Sequence, residues 1–292
     1  MTIWNCFSAS FLFCLLTTVA VAQGTGNRTP ILTGFIPMPE QKLQEGYVRV
    51  FDNTSTFGWR GNPRDSFINN GQLHFTGRVA DTPFYFLGFS VVPWNITSGT
   101  DTAKPEGTAI PLFDGETLNG WTIRGNAQAV VENGTIKLTG GSGSLESDGK
   151  YGDFVLQLEY KTDKVVNSGV FFRCIPGQTM NGYECQILNN PGDRDYQSFI
   201  GTDTGGLFRR QIGRNVGPKD GEWNYLTIAA RGPRMSTWVN GIQVIDWTDE
   251  RAPHENPRNG LRTEAGTIQF QGHDSGTEIW FRNIRIRELN PI

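Results

Sequence analysis

Histidine and cysteine are scarce in this chain, with three and four among 292 residues. No CxxC pair occurs, and no Cys/His spacing suits zinc, so a structural zinc site is not expected. Charge of one sign is lacking too. The formal net charge is −3, and no basic run is interleaved with aromatics, which argues against a nucleic-acid partner. Helical periodicity of apolar residues is sparse, and past the N-terminus no apolar run is long enough to cross a bilayer.

The exception is the first stretch, MTIWNCFSASFLFCLLTTVAVAQ, which ends in Ala20-Val21-Ala22. A short apolar core followed by a small-x-small signal reads as a secretory signal peptide cut after Ala22. The sequence therefore predicts an exported protein, secreted or periplasmic, with no membrane attachment after cleavage. Cys6 and Cys14 would leave with the signal. Cys174 and Cys185 would stay, either joined in an oxidising compartment or packed as apolar thiols.

What is abundant points to strands. Glycine numbers 36 and aromatics reach 12%, a mixture that suits short strands joined by tight turns. Residues 23–40 read as an irregular lead-in. Residues 41–97 read as a partial β repeat, because Phe-Asp, Gly-Trp and then Asn-Gly recur in FDNTSTFGWRGNP…SFINNGQLHFTG and FDGETLNGWTIRGNA…VVENGTIKLTG. A polar linker at 98–108 precedes a main domain at 109–292. There FVLQLEYKT, SGVFFRC, YECQIL, NYLTIAARG, MSTWVNGIQVID, GTIQFQGH and EIWFRNIRIREL all read as strands, and Asn240-Gly241 reads as a hairpin turn. Punctuated strands of this kind predict an all-β sandwich or barrel.

Strand alternation divides each segment into two faces. In YECQI, Tyr183, Cys185 and Ile187 form one set, and Glu184 and Gln186 the other. In GVFFRC, Val170, Phe172 and Cys174 are assigned to the core, with Phe171 and Arg173 opposite. In TIQFQGH, Gln269, Gln271 and His273 point away from the core. These polar side chains, with Phe171, Trp223 or Trp247 nearby, suit a sugar: amides pair with hydroxyls and aromatics stack on C–H faces. The competing reading is an ordinary solvated sheet face, with Glu184 ion-paired to Arg173 and His273 hydrogen-bonded to a neighbouring loop.

The pieces PLFDGETLNGW, YGDFVLQLEYKT, NSGVFFRC, GYECQILNN, GEWNYLTIAARG, VNGIQVIDW and IQFQGHDSGTEIWFRNIRIREL run in order from 111 to 289. In these the chain resembles the bacterial 3-keto-disaccharide hydrolase family, the 3-keto-glucoside 1,2-lyase/3-keto-2-hydroxyglucal hydratase domains. The resemblance implies a concanavalin A-like jelly-roll sandwich with a sugar site on its concave face. It also implies activity on glycosides already oxidised to a ketone at C3. Two positions depart from the family pattern: Asn189 stands where an aspartate is usual, and the leucine-glutamine-x-histidine pattern appears as Phe270-Gln271-Gly272-His273, which keeps the polar pair but changes its neighbour.

A C3 ketone acidifies the hydrogen on C2, so cleavage needs a base, a proton donor for the leaving oxygen and a group to hold enolate charge. Glu184 and His273 are the expected acid–base pair, in either order. Arg173 and Gln271 are expected to bind the keto and hydroxyl oxygens, with Gln186, Gln269 and Asn189 as further substrate contacts. The sequence assigns no cofactor, although a divalent cation on Glu184 and His273 could polarise the ketone. The alternatives are a non-catalytic carbohydrate-binding module and an exported scaffold protein.

Overall fold

The computed structural model describes residues 37–49, 57, 105, 107–163, 166–189, 201 and 203–289, with the backbone of short strands at 59–60, 66–69, 72–75, 85–86 and 102–103. The signal-peptide reading and most of the lead-in fall outside the described residues. Among those residues no helix is long and apolar enough to cross a membrane.

Eleven strands form one continuous curled antiparallel sheet. In chain order they are β1 (Ile110–Pro111), β2 (Trp121–Glu132), β3 (Thr135–Ser147), β4 (Phe154–Thr162), β5 (Ser168–Cys174) and β6 (Tyr183–Ile187). There follow β7 (Asn224–Arg231), β8 (Arg234–Val239), β9 (Ile242–Thr248), β10 (Thr267–Gly272) and β11 (Glu278–Glu288). Their spatial order is β6-β5-β10-β3-β11-β4-β7-β8-β9, with β2 beside β3 and β1 beside β11. The architecture is an all-β jelly-roll sandwich of the concanavalin A-like kind.

The curl is written into the glycines of β2 and β3. The first half of β3 pairs with β11 and its second half with β10, so this strand carries the corner between the two layers. At the corner the β2–β3 register shifts between Gly125 and Ala127. A side chain on Gly125 would strike the Ser142 carbonyl, and one on Gly143 would strike the Arg124 carbonyl. Only glycine permits so close a backbone approach. Hairpins close on Asn133-Gly134 and Asn240-Gly241, all four residues having positive φ as a type I′ turn requires.

Between the layers lies an aromatic core. Phe270 of β10 stacks on Trp121 at 4.9 Å and on Phe281 of β11 at 4.2 Å, joining the two layers. Phe172 packs against Phe154 and Tyr183.

The segment opening the partial repeat is helical: α1 (Glu40–Gln44) follows Pro39, carries an acid in its first turn and gives way at Gly46, which has φ +86°. Proline before the first turn and glycine after the last suit a short helix. The remainder of 41–97 is described only in short strands, among them the hairpin Ser66–Asn69/Gln72–Phe75 across Asn70-Gly71. Around α1, Gly46 and Gln44 offer their carbonyls to Gln157 and Arg285, both at 2.9 Å.

Cys174 and Cys185 are both free buried thiols. Register keeps them apart: Cys185 lies opposite Val170, four residues along β5 from Cys174, and a β-bulge also turns the two to different faces. The β5–β10 register advances by three residues on β5, Phe171 to Cys174, but by only two on β10, Gln269 to Thr267. That extra residue reverses the alternation. Cys174 therefore shares the face of Thr267 and Gln269, whereas Cys185 lies in the apolar core.

Candidate functional site

The non-core face of β6-β5-β10-β3 carries the polar side chains expected from alternation. Register places Glu184 opposite Phe171, Phe171 opposite Gln269, and Gln269 opposite Glu146, in one row across four strands. The neighbouring row holds Gln186 opposite Gly169, and Gln271 opposite Ser144. Having no side chain, Gly169 leaves a gap between the two glutamines, and the Glu184 side chain leans over it.

Glu184 is only 5% exposed. Burial pushes its carboxyl up to about 7, despite the Arg258 guanidinium and the more distant charge of Arg209, which pull the other way. Arg258 donates from Nη2 to Glu184 Oε2 at 3.3 Å. Its guanidinium also lies 5.1 Å from the Phe171 ring and 5.9 Å from the Phe208 ring.

The loop bearing Arg258 is fastened from beneath. Arg251 chelates the Asp249 carboxylate and donates to the carbonyls of Pro257 and Gly260. Tyr183 O–H donates to the same carboxylate and accepts from the Arg262 N–H. Arg258 receives two further constraints: its carbonyl accepts from Arg210 and its Nε donates to the Met180 carbonyl at 3.2 Å.

Gln186, Gln269 and Gln271 share this face but differ in how fully they are engaged. Gln186 Nε2 donates to Asn167 Oδ1 and to the Ser168 carbonyl. Gln269 is saturated, accepting from Ser144 Oγ and the Met180 N–H and donating to Glu146 and to the Gln178 carbonyl. Gln271 donates to the Met180 sulfur at 3.2 Å, and its Oε1 is buried without a hydrogen-bond partner. A buried carbonyl left without a donor is costly, and a ligand hydroxyl would satisfy it.

Three predicted site residues lie elsewhere. Arg173 sits in the bulge at φ +51°, and its donors go to Asp153 and to the carbonyls of Gly152, Gly232 and Arg262. It is a buried structural clamp, turned off the polar face by the same reversal that moved Cys174. Asn189 is held by Tyr160, Thr162, Thr204 and Asp220, away from Glu184. The amide donates to Asp220 and accepts from Tyr160 O–H, so it is an element of a structural network.

His273 does share the face parity of Gln269 and Gln271, yet it does not reach Glu184. It lies four residues along β10 from Gln269, which is itself two strands across from Glu184. At about 3.3 Å per residue and about 4.8 Å per strand, the two Cα atoms stand roughly 16 Å apart. The ring is 39% exposed, with Nδ1 3.0 Å from Asp274 Oδ2, and the backbone N–H bonds Thr277. Among the described residues no group of three or more His, Cys, Asp or Glu is placed to hold a metal.

Two further residues on this face escaped the sequence reading. Glu146, on β3, could have been found by extending the same alternation through SGSLES. It accepts from Thr267 Oγ1, the Gly177 N–H, Arg124 and Gln269. Burial raises its pKa, but the bonds from Thr267, Gly177 and Arg124 outweigh burial and hold it below the usual range. Arg258 comes from the turn-rich RAPHENPRNG, where no periodicity reports where a side chain points. Of the aromatics considered, Phe171 lies on this face, Trp247 packs edge-on against Tyr183, and Trp223 stacks under Arg282 on the other layer. Arg282 itself is ion-paired with Glu159.

A family model described as the 3-keto-alpha-glucoside-1,2-lyase-like domain matches residues 108–287. A 3-keto-disaccharide hydrolase of Bacteroides thetaiotaomicron is 27% identical over 232 residues, spanning 62% of this chain and 78% of that protein. A candidate glycosyl hydrolase structure from Parabacteroides distasonis superposes with a TM-score of 0.50 at 26% identity, covering 63% of this chain and all of that one. A second structure from that organism, at 20% identity, has a TM-score of 0.52 and covers 62% of this chain and 94% of its own.

Proposed function

This chain belongs to the 3-keto-alpha-glucoside-1,2-lyase-like family, and on that premise we propose that it is an exported carbohydrate-active enzyme that cleaves 3-keto-glycosides. The observation carrying this reading is Glu184, a buried carboxylate with a pKa near 7 on the non-core face of the sheet. A base with that pKa is half ionised at neutral pH and accepts and returns protons with equal facility. The Bacteroides thetaiotaomicron relative, named for 3-keto-disaccharides, supports that substrate class.

Glu184 removes the C2 proton, and the C–H electron pair forms a C2–C3 double bond while the ketone oxygen takes the negative charge. Re-forming the ketone moves that pair to C1–C2 and expels the glycosidic oxygen from C1. The leaving oxygen takes back the proton from Glu184. Water then adds its oxygen at C1 and a proton at C2, so the sum is hydrolysis. Gln271 Oε1 accepts a substrate hydroxyl and Gln186 lies across the Gly169 gap from it. Two close carboxylates, as in an ordinary glycosidase, are not needed.

The test is to offer the purified chain a 3-keto-disaccharide and its unoxidised parent. Sugar release from the oxidised compound alone, abolished in Glu184→Gln, supports the reading. Tight binding without release would make the chain a carbohydrate-binding module instead.

A further inference from the structure

In the elimination just proposed, negative charge leaves the base and appears on the C3 oxygen. Something cationic must accompany it, because an enolate in a water-poor site is otherwise strongly disfavoured. Arg173, the residue expected to do this, is committed to Asp153 and backbone carbonyls. Arg258 is the cation bonded to Glu184 among the described residues.

Resting on the proposed function, we infer that Arg258 is a catalytic residue that serves as counter-ion first to the Glu184 carboxylate and then to the enolate oxygen of the substrate. The geometry carries this. Glu184 is 5% exposed while the Arg258 side chain is 29% exposed, so a ligand approaching the carboxylate meets the guanidinium at the rim. The Nη2 contact to Glu184, at 3.3 Å, is long for a charge-assisted bond, a looseness that suits a partner to be exchanged. The planar group lies 5.1 Å from the Phe171 ring and 5.9 Å from the Phe208 ring, while Nε is fixed on the Met180 carbonyl. Its orientation is therefore set before any ligand arrives. Arg251, Arg210 and Asn256 fix the backbone around it through Pro257 O, Gly260 O, Arg258 O and Arg258 N.

Charge balances at every stage. Before reaction, Arg258 faces a carboxylate. As the proton moves from C2 to Glu184, that carboxylate becomes a neutral acid, and the same unit of negative charge appears on the ketone oxygen. The guanidinium loses one anion and gains another within the same pocket, so no net charge is buried at any point. A planar fork of N–H donors matches an enolate oxygen better than a single ammonium does.

The test follows deuterium exchange at C2 of a 3-keto-glycoside in heavy water, which reads proton abstraction apart from bond cleavage. Arg258→Met should lower the exchange rate by about 100- to 1000-fold, the loss typical of removing a donor to a developing oxyanion. It should also move the acid limb of the pH profile upward, because the positive charge beside Glu184 is gone. Arg258→Lys, which keeps the charge without the fork, should recover part of the rate, and added guanidinium should partly rescue Arg258→Ala. Wild-type exchange with unchanged exchange in Arg258→Met would overturn the role of Arg258 alone. Lowered exchange with an unmoved acid limb and no rescue would reduce Arg258 to loop packing, also overturning it. No deuterium at C2 of either recovered substrate or product with the wild type would sink the proposed function and this inference with it.

Discussion

A β-carbon added to Gly169 would lie 3.0 Å from Oε1 and 3.1 Å from Cγ of Glu184. Those separations are too tight to be absorbed without moving the carboxylate. The backbone of β5 is held by β6 on one side and β10 on the other, so Glu184 must be the group that yields. Gly169→Ala is thus a change at the site that deletes no functional group. We expect it to fold, losing about 1–3 kcal/mol to overpacking, and to turn over at least about tenfold more slowly, as misplacement of a base by a fraction of an ångström does. Thermal melting and steady-state rates on a 3-keto-disaccharide check both halves.

The proton on Glu184 gives a second expectation, with a definite sign. Burial raises its pKa from the ordinary 4.5 to about 7, so the folded chain holds this proton more tightly than the unfolded chain. Stability is therefore highest below about pH 4.5 for this group and falls as pH rises to about 7, where the buried carboxyl ionises. Glu184→Gln has no such titration. Its stability relative to the wild type should climb across that window by about 3 kcal/mol, since each pKa unit is about 1.4 kcal/mol. Denaturant midpoints at pH 4 and pH 8 measure it. Activity runs the opposite way: the wild-type rate should rise with pH through about 7, as the base form accumulates, and Glu184→Gln should be inactive throughout.

Alternation alone located most of this site. Tyr183 through Ile187 divide into core and polar faces as the residue pattern indicates, and Gln269 and Gln271 share a face with Glu184. The hairpins at Asn133-Gly134 and Asn240-Gly241 were legible because two consecutive positive-φ positions select Asn-Gly. Parity failed at Arg173, where a bulge inserts one residue; a non-glycine residue in the left-handed region leaves no mark in the sequence. Parity was also insufficient at His273, because it fixes the face and says nothing of distance along the strand. Arg258 lay beyond any periodic argument, for its position depends on Arg251, Asp249 and Tyr183 bracing a loop.

Arg173 illustrates the difference between a buried cation and a catalytic one. Its side chain is fully buried and its Nη2 lies 3.0 Å from Asp153 Oδ1. Arg173→Met takes the guanidinium away from that carboxylate and from three carbonyls, which we expect to cost about 3–5 kcal/mol. Protein that still folds should keep the wild-type pH profile and KM, because none of these partners borders Glu184. A changed acid limb at unchanged melting temperature would place Arg173 in the site after all.

His273 supplies the sharpest contrast with the sequence expectation. Its side chain is 39% exposed and bonded to Asp274, and its Cα stands roughly 16 Å from that of Glu184 by the strand spacing. Neither side chain hydrogen-bonds the other: Glu184 takes Arg258 and His273 takes Asp274. If Glu184 alone carries the proton from C2 to the leaving oxygen, His273→Asn should retain activity within about threefold, since surface changes of this kind cost under about 0.5 kcal/mol. Its C2 exchange rate should match the wild type. A fall of a hundredfold in cleavage with exchange intact would mean that the histidine donates the leaving-group proton, and that the two residues approach one another when substrate is bound.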